Sequence, residues 1–291
     1  MVSGVLLLDK PAGFSSNQAL QRAKWLYAAT KAGHTGSLDP AATGLLPVCF
    51  GEATKFSHYL LEADKTYTAV IRLGTTTTTG DVEGVVLKRA PVEVLQEDVE
   101  RVLDSFHGNL PQVPPMYSAL KHKGKALYEY ARAGVEIERV SRQVTIHSIQ
   151  LISFKGETLE ITVSCSKGTY IRTLSEDIGV ALGCGAHLAG LRRVVTGAFD
   201  IGLAHTLEQI DQMTLEQRDA SLVPTDMLLT GLPAVEVNEE NAFYLRRGQA
   251  IWKTGSVECG MLRLYGPEHI FLGVGEILED GRIVPRRLLV S

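Results

Sequence analysis

Two β-rich runs, residues 143–154 and 158–166, meet at Lys155-Gly156 and constrain the fold more than any other part of the chain. Glycine supplies the turn, so the runs pair as an antiparallel hairpin, and a bare hairpin is not stable without further partners. One partner is legible: Lys65 to Leu73 (KTYTAVIRL) is β-branched and aromatic and reads as a strand. A shorter strand covers 4–8 and ends at Lys10-Pro11. Helices are expected at about 16–28, opened by a Ser15-x-x-Gln18 capping box, and near 52–62, with Phe56, Tyr59 and Leu60 on one face. Two more follow: 95–106, with Val99, Val102, Leu103 and Phe106 at helical spacing, and a helix led in by Gly168 and running to about 182.

The 291 residues suggest one large domain and one small one, and 45% hydrophobic content supports a sizeable core. Composition shifts twice. Residues 111–142 begin proline-rich and turn basic, as an excursion from the core would. Around 206–231 the pattern is irregular, with short helices, and from 232 onward short apolar strands separated by glycines predict a small β-rich module. Thr75 to Thr79 reads as an exposed strand end or turn. Gly183-Cys184-Gly185 lacks the third glycine and the preceding strand of a dinucleotide fingerprint. The four cysteines are scattered, so they read as small core residues of a reduced cytosolic protein. No apolar run suits a signal peptide or membrane span, which predicts a soluble cytoplasmic protein.

Chemistry concentrates in Gly33-His-Thr-Gly-Ser-Leu-Asp-Pro-Ala-Ala-Thr-Gly44. One carboxylate, Asp39, is locked by Pro40 among small residues, and glycines 33, 36 and 44 let the backbone turn and come close to another molecule. Asp-Pro is also an ordinary turn-starter, but the glycines, His34 and two threonines around it favour a site. A Ser-His-Asp triad on Ser37 fails for want of a nucleophile elbow. Tyr67 is either core packing or a stacking platform for a nucleobase. Arg172 is either a surface charge or a bidentate partner holding Asp39 ionised. Leu191 is simplest as core, and Arg192-Arg193 as solvated charges or phosphate contacts. Net charge is −4, yet residues 121–143 hold six basic against three acidic residues, interleaved with Tyr128 and Tyr130 and preceded by Tyr117. Basic and aromatic groups on a protruding segment suit a nucleic-acid clamp.

Taken in order, these segments resemble the TruB-type tRNA pseudouridine-55 synthases. The resemblance rests on Leu6-Leu-Leu-Asp-Lys-Pro-Ala-Gly-Phe-Ser-Ser16, the Gly-His-Thr-Gly-Ser-Leu-Asp-Pro loop, Lys65-Thr66-Tyr67, Pro115-Met-Tyr-Ser-Ala-Leu-Lys121, Gly168-Thr-Tyr-Ile-Arg172 and Gly185-Ala-His-Leu188. It implies an α+β fold with a mixed, largely antiparallel central sheet flanked by helices, residues 1–231 forming the catalytic domain. Residues 111–142 become an RNA-gripping thumb and 232–291 a PUA-like RNA-binding domain. It further implies that Asp39 is the nucleophile, paired by Arg172. Tyr67 stacks on the uracil and is the nearest group to take the C5 proton, Tyr170, Arg172 and Leu191 line the pocket, and His34 fills the space that the flipped nucleotide leaves in the RNA. The implied partner is the tRNA T-stem-loop, gripped by a monomer without protein partner or membrane. Pseudouridine is an isomer of uridine, so the implied reaction calls for no cofactor or metal. Arg246-Arg247 offer further phosphate contacts. Thr78 stands where many relatives carry an acid and Ala198 where a proline is common, while Asp81 keeps the other acid of that turn.

Overall fold

A computed structural model describes residues 2–252 and 259–289. The strands β1 (Gly4–Lys10), β2 (Ala32–His34), β3 (Thr43–Phe50) and β4 (Lys65–Leu73) are interleaved with helices α1 (Ser16–Leu26) and α2 (Ser57–Leu61). A small hairpin, β5 (Thr75–Thr77) with β6 (Val86–Arg89), precedes α3 (Gln96–Ser105) and β7 (Gly108–Gln112). The two-residue strands β8 (Lys121–His122) and β9 (Lys125–Ala126) and helix α4 (Leu127–Arg132) stand outside the main sheet. Then come β10 (Arg142–Lys155), β11 (Thr158–Cys165), α5 (Ile171–Ala181), β12 (Ala186–Thr196) and β13 (Phe199–Asp200), followed by α6 (Leu207–Gln212) and α7 (Leu215–Ala220). The carboxy-terminal part carries β14 (Ala234–Glu236), α8 (Glu239–Arg246), β15 (Ile251–Trp252), β16 (Gly260–Tyr265), β17 (Phe271–Ile277) and β18 (Arg282–Leu288).

Nine strands form the main sheet in the order β1-β3-β12-β4-β11-β10-β7, with β2 on β3 and β13 on β12. Every pairing is antiparallel except β12 with β3, so the sheet is mixed and largely antiparallel. In β11 buried and partly exposed positions alternate, because only one face is covered by helices α3 and α5. Strands β1 and β3 are instead buried almost throughout. Leu6, Leu8, Leu46 and Val48 pack under α1, whereas Val5, Leu7, Leu45 and Cys49 share a core with Phe56, Leu60, Leu228 and Val274 of the carboxy-terminal sheet. The run Leu6-Leu7-Leu8 is therefore apolar on both faces. Lys55 Nζ donates to Leu288 O (3.1 Å), and Phe56 packs edge-on against Phe271, which fastens the five-stranded sheet β14-β16-β17-β18-β15 to the part of the chain that holds the main sheet.

Several expectations change. The capping box at Ser15 and Gln18 is present and α1 ends at Leu26. The expected 52–62 helix is a 3-10 turn (Gly51–Lys55) and a separate short α2, broken at Phe56. The β10–β11 turn is Gly156-Glu157, one residue later than expected, with Gly156 at φ 60°. Pro111 and Gln112 belong to β7 and Arg142 to β10, so the excursion proper spans 113–141. Thr77 is buried, its hydroxyl donating to Asp81 O (2.7 Å), so the threonine run is not simply exposed. Cys49, Cys165 and Cys184 are buried, but Cys259 is exposed and is no core residue. Strands β3 and β12 and helix α8 carry no periodicity strong enough to have been read in advance. Among the described residues no helix is long and apolar enough to cross a membrane.

Candidate active site

The loop carrying Asp39 is held on both flanks. Ser16, the first residue of α1, donates through Oγ to Leu38 O (3.0 Å) and accepts from Leu38 N (2.7 Å). On the far side, Gly13 N donates to Pro40 O (2.8 Å), and the fully buried Lys10 donates through Nζ to Pro11 O (2.9 Å), Phe14 O (2.6 Å) and Pro40 O (3.4 Å). Gly36 (φ 118°) and Gly44 (φ 102°) take backbone conformations that favour glycine, whereas Gly33 sits in β2 with an ordinary φ. At Gly44 a Cβ would lie 2.3 Å from Arg193 O, because β3 runs parallel and close to β12 there.

Arg172, at the start of α5, is buried with its fork split between two acids. Nη2 lies 3.2 Å from Asp39 Oδ2 and Nη1 3.4 Å from Asp81 Oδ2. The expected bidentate grip on Asp39 is thus a single contact, the other arm being taken by Asp81. Nη2 also donates to Tyr117 O (2.6 Å) at the root of the excursion. Asp81 is fixed in turn by Thr79 Oγ1 (2.5 Å) and Glu83 N (3.1 Å), both donating to Oδ1.

Asp39 is half exposed, with 50% of its side chain accessible. The surrounding walls nonetheless desolvate it, and that burial raises its pKa above 3.8. Arg172 pulls it down, Asp81 pushes it up, and Lys10 lowers it in a smaller degree. Arg172 thus favours the ionised form, as expected, but burial opposes it. Burial also pushes the Lys10 amine down to about 8, with Asp39 opposing and Arg193 adding to the fall.

Two cavities meet at this acid. The inner one, about 260 Å³, is lined by Asp39, Tyr67, Tyr170, Arg172, Leu191 and Arg193, among others. The outer one, about 510 Å³, takes in His34, Asp81, Tyr117, Tyr128 and Arg132. Asp39, Arg172 and Ser118 border both. The sheet register explains the inner wall: Leu191 lies opposite Ala69 and Arg193 opposite Tyr67, and directly opposed residues share a face. Tyr170 is set by a reciprocal backbone clamp from the buried Gln112, which accepts from Tyr170 N (2.7 Å) and donates to Tyr170 O (3.1 Å). Burial raises the Tyr67 phenol above 10, while Arg193 beside it works the other way. His34 is lowered by burial and then by Arg193, so its ring stays neutral at pH 7.

All six side chains expected at the site thus converge on this double cavity. Sequence reasoning missed Lys10, Ser16, Gln112 and Ser118 as parts of it. The signal for Lys10 was a lysine ending a strand that opens with an apolar run, just before proline; Gln112 had none. Arg192-Arg193 was misread. Arg193 is buried and donates to Leu45 O (2.7 Å) and Gly36 O (3.1 Å), out of reach of phosphate on the surface, and Arg192 is spoken for by both oxygens of Asp9 (3.0 and 2.7 Å).

The model of the TruB family pseudouridylate synthase N-terminal domain matches residues 24–171. The chain belongs to the TruB family of pseudouridylate synthases. Two further TruB models match the rest, the tRNA pseudouridylate synthase B C-terminal domain at 172–230 and the pseudouridine synthase II TruB C-terminal region at 233–289. A protein named tRNA pseudouridine synthase B from Methylobacillus flagellatus is 60% identical over 99% of this chain and 95% of its own length. One of the same name from Stutzerimonas stutzeri is 52% identical over 100% and 96%. As a TruB family member the chain is an isomerase, a pseudouridine synthase. Among solved structures, the archaeal box H/ACA Nop10–Cbf5 complex superposes with a TM-score of 0.76 at 22% identity, covering 99% of this chain and 86% of that one. That likeness bears on the fold alone, which is the pseudouridine synthase fold expected from the sequence.

Proposed function

We propose that this TruB family member isomerises uridine 55 in the T-arm loop of tRNA, with Asp39 as the nucleophile. The tRNA substrate is supported by the names of the relatives, and the reading of the site rests on one observation. A single carboxylate, anchored on both flanks and half exposed, stands at the neck between a cavity sized for a base and a wider one open to the excursion. A nucleotide flipped out of the RNA would enter from the outer cavity with its glycosidic bond at that neck. Flipping costs a few kcal/mol, which phosphate contacts and stacking recover.

In this scheme the Asp39 carboxylate starts cleavage of the C1′–N1 bond, whose electron pair passes to the uracil. The base turns inside the inner cavity, C5 bonds to C1′ and the carboxylate is released; the C5 proton is then lost to water while N1 takes one up, so the net change is an isomerisation. Tyr67 stacks on the base, worth about 1–3 kcal/mol by the usual range for base–aromatic contacts. Its raised pKa keeps the phenol protonated at neutral pH, which favours stacking over a role as proton acceptor. Tyr170 and Leu191 shut out water that would otherwise capture the opened sugar. His34, neutral and in the outer cavity, fills the place of the extruded nucleotide without burying a charge.

The excursion at 113–141 borders the outer cavity through Tyr128 and Arg132 and exposes Lys121, Lys123 and Lys125, so it serves as the thumb. Because the chain carries its own clamp, it needs no protein partner and works as a cytoplasmic monomer. Residues 1–231 act as the catalytic domain and 232–291 as a PUA-like RNA-binding domain. The test is pseudouridine mapping in a T-arm stem-loop after incubation with the purified protein. Conversion at the single loop uridine is expected; turnover of free uridine instead, or undiminished conversion by Asp39→Asn, would sink the assignment.

A further inference from the structure

The charge around the two adjoining cavities is lopsided. Two carboxylates, Asp39 and Asp81, share one cation, Arg172. Three more buried cations lie nearby: Arg193 (1% exposed) and Lys65 (7%) line the inner cavity, and Lys10 (0%) sits under the Asp39 loop. Among the described residues none of the three forms an ion pair; the two lysines are held by backbone carbonyls, and Arg193 by two carbonyls and a side-chain hydrogen bond to the Tyr67 phenol. Lys65 donates to Leu60 O, Leu61 O and Ala63 O, closing the end of α2, and Lys10 secures the catalytic loop. Arg193 differs from the other two. Its Nε and Nη2 hold Leu45 O and Gly36 O, and the guanidinium borders the inner cavity beside Tyr67, its cross-strand neighbour. Burying an arginine without an acid is costly, and clustering it with two lysines adds repulsion. Arg193 indeed lowers the pKa of Lys10, Lys65 and His34. The two carbonyls and the Tyr67 phenol call for a long side chain with several N–H donors, but not for a full positive charge. A negative charge arriving in the cavity does.

We infer that Arg193 is the electrostatic partner of the detached uracil, stabilising the negative charge that the base acquires when the C1′–N1 bond breaks. The inference rests on the functional reading above. The bond breaks heterolytically, its electron pair goes to N1 and spreads to the ring oxygens, and the charge disappears again when C5 bonds to C1′; the later loss of the C5 proton is matched by proton uptake at N1. A preformed cation in a water-poor cavity gains more from the anion than from the neutral base, and so acts on the transition state.

Single-turnover consumption of the loop uridine is measured for wild type, Arg193→Gln and Arg193→Lys, on T-arm stem-loops carrying uridine or 5-fluorouridine. Fluorine withdraws electrons and makes the base a better leaving group, so less help is needed from the protein. Arg193→Gln should slow bond cleavage on the order of 10²-fold with uridine, the usual cost of one preorganised donor. Its loss should shrink to about tenfold or less with 5-fluorouridine, with stem-loop affinity changed by no more than a few-fold and Arg193→Lys recovering most of the rate. Equal losses on the two substrates, or loss of affinity in place of rate, would overturn the inference and leave Arg193 a scaffold residue or a phosphate ligand. If Arg193→Gln does not fold, Arg193→Lys decides alone: its displaced charge should cost more on uridine than on 5-fluorouridine, and equal costs refute the proposal. A wild-type protein that makes no pseudouridine at all would instead refute the functional reading.

Discussion

The chain holds two adjacent-arginine pairs that look interchangeable in the sequence and have opposite fates. Arg192 and Arg193 lie on β12, a central strand, so successive side chains point to opposite faces. One is drawn to Asp9 and the other sealed beneath the catalytic loop. Arg246 and Arg247 end α8 at the surface of the carboxy-terminal module. Both remain exposed and line a groove of about 680 Å³ with Phe243, Pro267 and Ile270, the Arg247 guanidinium lying 3.3 Å from the centre of the Phe243 ring. A dipeptide carries no information about solvent; the element that holds it does. The first pair is built into the fold, while the second stays open to solvent and free to meet a phosphate, as the proposed function requires.

That contrast can be broken in several ways. Asp39→Asn should have the largest effect, a rate loss on the order of 10⁴-fold, with stem-loop binding in a filter assay unchanged within a few-fold. Retained activity would dissociate the cavity from the chemistry. Gly44→Ala strikes the floor on which Arg193 rests: with φ at 102° and a Cβ only 2.3 Å from Arg193 O, it should cost about 3–4 kcal/mol, as strained core substitutions do. A melting temperature within a degree or two of wild type would show that β3 and β12 separate more easily than the register implies. Arg193→Gln and Arg247→Gln then compare the pairs directly. The first should lower thermal stability by about 1–3 kcal/mol by loosening buried carbonyls. The second should leave stability within about 0.5 kcal/mol and reduce the salt slope of RNA binding by about one. Reversed outcomes would exchange the two roles.

The smallest effect is electrostatic. In the proposed mechanism Asp39 attacks as the carboxylate, and burial raises its pKa above 3.8. The acid limb of kcat/KM should accordingly lie above the ordinary aspartate range, activity falling as pH drops through it. Asp81→Asn removes a neighbouring negative charge that raises this pKa, so the limb should move toward lower pH, by about one unit or less. A move toward higher pH would mean that Asp81 acts chiefly by aiming Arg172.

Much of the molecule was legible in advance where local rules dominate. The β10–β11 hairpin, β4, α1 with its capping box and the helices α3 and α5 follow from periodicity and turn chemistry. The six expected site residues were legible because they sit in short motifs dense in glycine, proline and titratable groups. Strands β3 and β12 escaped notice because a strand buried on both faces, or one carrying glycines and arginines through the middle of a sheet, has no alternation to read. Gln112 and the burial of Arg193 escaped for a related reason: their partners lie 58 and 148 residues away in the chain, and the buried Ser118 hydroxyl has no hydrogen-bond partner among the described residues.

Residue order alone settled the chemistry on offer, one acid with aromatic and cationic companions, and the strands and helices able to present it. How that acid is charged was left to three-dimensional packing. Desolvation by the cavity walls, one guanidinium divided between Asp39 and Asp81, and three cations buried without acids are sums over groups distant in sequence. Electrostatic energies depend on separation in space and on the exclusion of water, and neither quantity exists until the sheet has closed over its helices.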